Sequence, residues 1–112
     1  MFKQKFTLEA RKEEASRILS KYPNRIPVIC ERANNEIKDL DKKKYLIPSD
    51  LKMIDFLMVI RRRLRLPAHQ SIFVFVNDKL INGSEMMSKV YEEEQDEDRF
   101  LYVMYGGEST FG

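Results

Sequence analysis

Between Ser49 and Pro67 the apolar residues Met53, Phe56, Leu57, Ile60 and Leu64 recur at helical spacing along one stripe, with arginines at 61, 62, 63 and 65 on the last turns. A helix that is apolar on one side only must lay that side against another element. Its dipole favours the arginines at the C-terminal end. Ser49 and Asp50 are the expected opening and Pro67 the expected stop. The surface for such a helix follows at once: Ser71-Ile72-Phe73-Val74-Phe75-Val76 is apolar throughout after its serine, the pattern of a strand buried on both faces.

The rest of the chain supplies further elements. Phe2 and Phe6, four residues apart, suggest one helical turn at the start. From Leu8 the apolar positions Ala15, Ile18, Leu19 and Tyr22 alternate with charges at helical spacing behind Thr7, an N-cap candidate, and Tyr22-Pro23-Asn24 ends that helix. Residues 25–31 are β-branched and read as a strand, whose Pro27 implies a stretch of backbone without a ladder partner. Residues 33–41 read as a polar connection, and Lys44-Tyr45-Leu46-Ile47-Pro48 as a second strand with an edge proline. Two proline-bearing strands are unusual material for a sheet centre. Asn77-Asp78 predicts a hairpin into Lys79-Leu80-Ile81. Asn82-Gly83-Ser84-Glu85 turns again into a short helix through Met86, Met87, Val90 and Tyr91, and residues 100–105 form the last strand. The expectation is an α+β domain with one long helix across a mixed sheet of about four strands, the ubiquitin-like β-grasp with two helices added at the front.

Composition narrows the chemistry. The chain has 112 residues, one cysteine and one histidine, enough for one core but not for a disulfide framework, a CxxC motif, most zinc sites or a histidine-based triad. The longest uncharged apolar stretch, residues 71–77, falls far short of the ~20 residues of a membrane span, and the N-terminus lacks a signal-peptide apolar region. A cytosolic or nuclear compartment is expected, in which the Asn82-Gly83-Ser84 sequon is simply a turn. The near-neutral total hides an asymmetry: residues 1–68 carry 17 basic and 9 acidic side chains, net +8, and residues 69–112 carry 3 and 9, net −6. The basic half suits partners that bring negative charge.

Three stretches carry a specific resemblance. Tyr22-Pro-Asn-Arg-Ile-Pro-Val-Ile, Asp39-Leu-Asp-Lys-Lys-Lys-Tyr-Leu-Ile-Pro-Ser-Asp-Leu, and the ending Glu108-Ser-Thr-Phe-Gly112 closely resemble the ubiquitin-like autophagy modifiers, the family that includes the gamma-aminobutyric-acid-receptor-associated protein. The similarity continues through Phe56 to Arg63, Phe73-Val-Phe-Val-Asn and Phe100-Leu-Tyr, nearly the whole chain.

The resemblance implies a non-enzymatic modifier without cofactors, divided into an N-terminal helical extension (1–24), a β-grasp core (25–105) and a flexible conjugation tail (106–112). Its glycine, Gly112 here, is activated by an E1-like enzyme, passed through an E2-like enzyme and joined to phosphatidylethanolamine. A residue without Cβ leaves that carboxyl unhindered for acyl transfer. A dedicated cysteine protease deconjugates such modifiers, which are cytoplasmic until lipidated and then sit on autophagosome membranes. The resemblance also implies docking of cargo-receptor motifs in which an aromatic residue precedes, by three positions, a Leu, Ile or Val. The peptide adds a strand to the edge at 44–47. The aromatic pocket would be Glu14, Ile18, Pro27, Lys44, Leu46 and Phe100. The aliphatic pocket would be Tyr45, Ile47, Pro48, Leu51, Phe56 and Val59, with Arg25, Lys42 and Arg63 meeting acidic flanks. The connection after Ala33 and the start before the first long helix are shorter than in the named relative, so contacts by the N-terminal arm differ.

Other residues read more plainly. Arg61 to Arg65 point several ways around a solvated helix end without an aromatic stacking platform, so nucleic acid is not an expected partner. Cys30, alternating with Val28, reads as a core thiol and His69 as an exposed loop residue. The acidic run 92–98 lacks a calcium-loop spacing and reads as a solvated end. The competing function is an unconjugated ubiquitin-like module acting as a soluble or cytoskeletal adaptor.

Overall fold

The structure, a computed structural model, describes residues 1–108. Its elements are α1 (Phe2–Lys5), α2 (Leu8–Lys21), β1 (Arg25–Arg32), β2 (Lys44–Pro48), α3 (Met53–Leu64), β3 (Phe73–Val76), β4 (Lys79–Leu80), α4 (Met87–Glu94) and β5 (Leu101–Gly106). The expected α+β arrangement is present, but the sheet has five strands rather than four, in the order β2-β1-β5-β3-β4. The fifth is β4, two residues held to β3 by the hairpin Asn77-Asp78, whose φ values of 51° and 64° are those of a type I′ turn.

β1 lies inside the sheet, antiparallel to β2 and parallel to β5, contrary to the reading of its proline. Strand geometry reconciles the two. The Cys30 N–H bonds the Lys43 carbonyl at 2.7 Å, so alternate residues Val28 and Ile26 also face β2, while Pro27 faces the β5 side. The β5 ladder begins only at Val28 opposite Leu101, one residue past the proline's missing donor.

One face of the sheet carries Val28, Cys30, Tyr45, Ile47, Leu101, Val103, Tyr105, Val74 and Val76, packed with Met53, Phe56, Ile60 and Leu64 of α3. The other face carries Ile29, which with Phe100 and Ala15 forms a second, smaller cluster joined by Phe2, Ile18 and Tyr102. Thus α3 covers one side and α1–α2 the other. The Thr7 hydroxyl accepts the Ala10 N–H at 3.1 Å, capping α2 as expected.

Five further expectations need correction. α3 starts at Met53, not at Ser49: residues 49 and 50 form a turn, and the Lys52 N–H is satisfied by the Asp55 carboxylate at 2.9 Å. β3 alternates half-buried Phe73 and Phe75 with buried Val74 and Val76, so it is covered fully on one face only. The connection 33–41 contributes Ile37 and Leu40 to the core, anchored where the Tyr105 hydroxyl donates to the Lys38 carbonyl at 2.7 Å and Arg32 to that of Ile37 at 3.1 Å. The acidic run does not end in solvent, because Asp98 is fully buried. The expected tail begins at 106, but Gly106 still pairs with Phe73 in β5.

Candidate functional site

β2 is an edge strand, and its register settles which groups are free to pair outward. Val28–Tyr45 and Ile26–Ile47 lie on the bonded side toward β1, so the N–H and C=O groups of Lys44 and Leu46 point away from the sheet. One of these is already engaged: Arg25 donates from its guanidinium to the Leu46 carbonyl at 3.1 Å. An extended peptide pairing here would release Arg25 for an acidic neighbour.

The twelve expected pocket residues fall on either side of this edge. On the α2 side, Pro27 and Phe100 are buried and Ile18, Leu46, Glu14 and Lys44 are half-buried. Lys44 and Glu14 form an ion pair between β2 and α2, and the Lys44 ammonium also lies 5.7 Å from the centre of the Phe2 ring. On the α3 side, Tyr45, Ile47 and Phe56 are buried core residues, with the Tyr45 and Phe56 rings edge to face at 5.5 Å. Pro48, Leu51 and Val59 are half-buried above them. Burial pushes the Tyr45 phenol up to about 12, and its hydroxyl donates to the Lys42 carbonyl at 2.7 Å.

The three expected acid-binding cations differ in readiness. Lys42 is exposed, 5.3 Å from the Tyr45 ring centre. Arg63 is engaged by both carboxylate oxygens of Asp41 at 3.0 Å, and this hydrogen bonding holds the Asp41 carboxyl below its ordinary value. An incoming acid must therefore compete with Asp41. Gly112 lies outside the described residues.

Sequence reasoning missed what holds the α2 wall in place. Arg11 of α2 donates to the buried Asp98 carboxylate at 2.6 Å, the Tyr102 hydroxyl donates to the same oxygen, and the Phe100 N–H to the other at 2.8 Å. Nearby, Lys3 pairs with Asp96 at 2.5 Å. A buried carboxylate needs this complete set of donors. The one signal in the sequence was Arg11 on the apolar side of α2, which an exposed helix face would not explain. Elsewhere chemistry is sparse: Cys30 is buried and its thiol pushed well up by burial, which suits packing rather than nucleophilic attack. Among the described residues no cluster of three or more His, Cys, Asp or Glu could hold a metal ion, and no helix is long and apolar enough to cross a membrane.

With an edge strand set between two apolar clusters on a β-grasp sheet, comparison with known proteins becomes informative. The family described as "Autophagy protein Atg8 ubiquitin like" matches residues 10–112. The chain belongs to the Atg8 family. It is 52% identical over 112 residues to Autophagy-related protein 8 of Kluyveromyces lactis, covering 99% of this chain and 90% of that one. It is 53% identical over 113 residues to Autophagy-related protein 8e of Arabidopsis thaliana, covering 100% and 93%. The crystal structure of Trypanosoma brucei ATG8 superposes with a TM-score of 0.92 at 41% identity, covering 99% of this chain and 97% of that one. The Atg8 fold is therefore this chain's fold, and the chain is a ubiquitin-like protein of autophagy.

Proposed function

We propose that this Atg8-family chain is a modifier and adaptor with two separable parts. Gly112, at the end of a conjugation tail (106–112), is joined to phosphatidylethanolamine by E1-like and E2-like enzymes and freed by a deconjugating cysteine protease. The edge of the core (25–105), walled by the helical extension (1–24), docks aromatic-x-x-aliphatic motifs of cargo receptors and autophagy factors. The protein is cytoplasmic until lipidated and then sits on the autophagosome membrane, and it performs no catalysis. A lipid with two acyl chains would hold it at the membrane far more firmly than a single weak contact.

The observation that most supports docking is the outward pairing groups of Lys44 and Leu46, on a strand whose two faces meet two apolar clusters. Backbone pairing supplies affinity there and the residues of those clusters select alternate side chains. The conjugation reading rests on family membership, the match running through Gly112.

The test measures the intact mass of the chain from the membrane fraction of autophagy-induced cells, for wild type and Gly112→Ala, with and without phospholipase. A phospholipase-sensitive lipid adduct in wild type alone is expected, with Gly112→Ala still binding a motif peptide. Unmodified mass in both would shift the reading to an unconjugated adaptor.

A further inference from the structure

Helix α4 carries its charges against its own dipole. Its last turn holds Glu92, Glu93 and Glu94 and no basic residue, and its first turn holds no acid. A helix favours the opposite arrangement, acids at the start and cations at the end. One of the three carboxylates is answered from β4, where Lys79 donates to Glu94 at 2.6 Å. Glu93 has only Lys89 at 4.0 Å, and Glu92 and the hairpin's Asp78 make no ion pair among the described residues.

The same carboxylates border a groove. Between β4 and α4 lies a cavity of about 210 Å³, lined by Leu80, Ile81 and Val90 together with Glu85, Glu93 and Glu94. Leu80 keeps 56% of its surface exposed. The two lysines that also line the groove do not satisfy it. Lys79 is committed to Glu94, and Lys89 reaches Glu85 at 3.3 Å and Glu93 at 4.0 Å with most of its own side chain in solvent. Exposed pairs of this kind are weak and yield to a better-placed cation. They also show that Glu85 and Glu93 converge closely enough to share one.

The walls select the occupant. An arginine lays its alkyl stem along apolar surface while its planar fork bonds two carboxylates at once, which a lysine cannot do. Residues 69–112 carry net −6, so this side of the molecule repels nucleic acid and anionic lipid and attracts a basic protein segment. β4 has only two residues, too few to template a strand, so the contact is made by side chains.

We propose that the groove between β4 and α4 is a second docking surface, taking an arginine-bearing segment of a partner protein. The arginine stem lies against Leu80 and Ile81, and its guanidinium displaces Lys89 from Glu85 and Glu93. The groove flanks the opposite edge of the sheet from β2, so the two surfaces hold different partners at the same time.

Amide NMR titration of the full chain tests it, with short synthetic peptides that carry one arginine and a leucine at each nearby position in turn, beside counterparts in which glutamine replaces the arginine. At least one arginine peptide should bind wild type about 3- to 10-fold tighter than its counterpart, with shifts in residues 79–94 and none in 44–47. Glu85→Gln combined with Glu93→Gln should erase that preference, and Leu80→Ala should weaken both peptides. Glu9→Gln combined with Glu36→Gln, which removes the same charge from exposed positions elsewhere, should leave the preference intact. The amide spectrum of each variant reports its fold. Absence of any arginine preference, an equal loss in the Glu9 and Glu36 variant, or shifts centred on 44–47 would overturn the proposal. Shifts in 79–94 that appear on concentrating the chain without peptide would give the groove to a second copy and overturn it as well.

Discussion

The sheet has two edges, and they are built to opposite ends. β2 runs five residues with side chains alternately buried and half-buried, and each of its faces packs on an apolar cluster. β4 runs two residues with both side chains exposed, and its Lys79 is tied to Glu94 of α4 at 2.6 Å. An open edge invites pairing with any extended chain, and proteins blunt edges with short strands and lysines. Here one edge is blunted in that way, and the other is left long enough to template a strand. The lesson is that an edge strand can be left open where the apolar residues of both its faces, rather than its backbone, are what would discriminate among strands under the proposed docking.

The strongest way to break this contrast is to remove the support of the α2 wall. Asp98→Ala would leave Arg11 without its buried partner, and a loss of roughly 3 to 5 kcal/mol is expected by urea unfolding. Hydrogen exchange in the folded fraction should rise in α2 and leave the β3–β4 hairpin unchanged. A smaller effect tests the edges directly. Leu46→Ala should weaken a motif peptide by about 1 to 2 kcal/mol, roughly 5- to 30-fold, from lost apolar contact, while the matching truncation Leu80→Ala on β4 leaves its affinity unchanged. Equal losses would mean that the peptide does not use β2.

The smallest effect is acid sensitivity of the α1 arm. Burial alone would raise the Asp96 carboxyl, but hydrogen bonds from Lys3 and the Asp98 N–H outweigh it and hold the group below its ordinary value. A carboxyl that titrates lower when folded contributes stability that is complete above the unfolded value of about 3.9 and is lost as pH falls through the folded one. Near-UV dichroism of Tyr102, beside Lys3, should therefore change on acidification below about pH 4.

Much of this was legible in the residues. α2 with its Thr7 cap, the stripe of α3, the hairpin at Asn77-Asp78 and the edge position of β2 follow from periodicity and turn chemistry. What escaped depends on partners distant in sequence. Asp98 looks like one more acid in a charged run until Arg11, 87 positions away, is folded against it. Ile37 and Leu40 sit among polar neighbours without a period, and only the grip of Tyr105 and Arg32 on the local carbonyls turns them inward. Pro27 argued correctly for an unpaired donor but not for an edge, since the strand beside it simply starts one residue later. The assignment of Phe56 and Ile47 to a cleft came from resemblance, because burial and spacing alone describe core residues.

The parallel pairing of β1 with β5 also has a consequence for the order in which the molecule comes into being. β2 touches the sheet only through β1, and β1 meets its other neighbour across a separation that runs from Val28 to Leu101. Such long-range pairing is slow and waits for its far partner. On the ribosome the groove has neither floor nor central ladder until Phe100 and β5 have emerged. Completion of the β2–β1 edge and arrival of the residues after Gly106 are nearly one event, so a chain shortened before that point loses both.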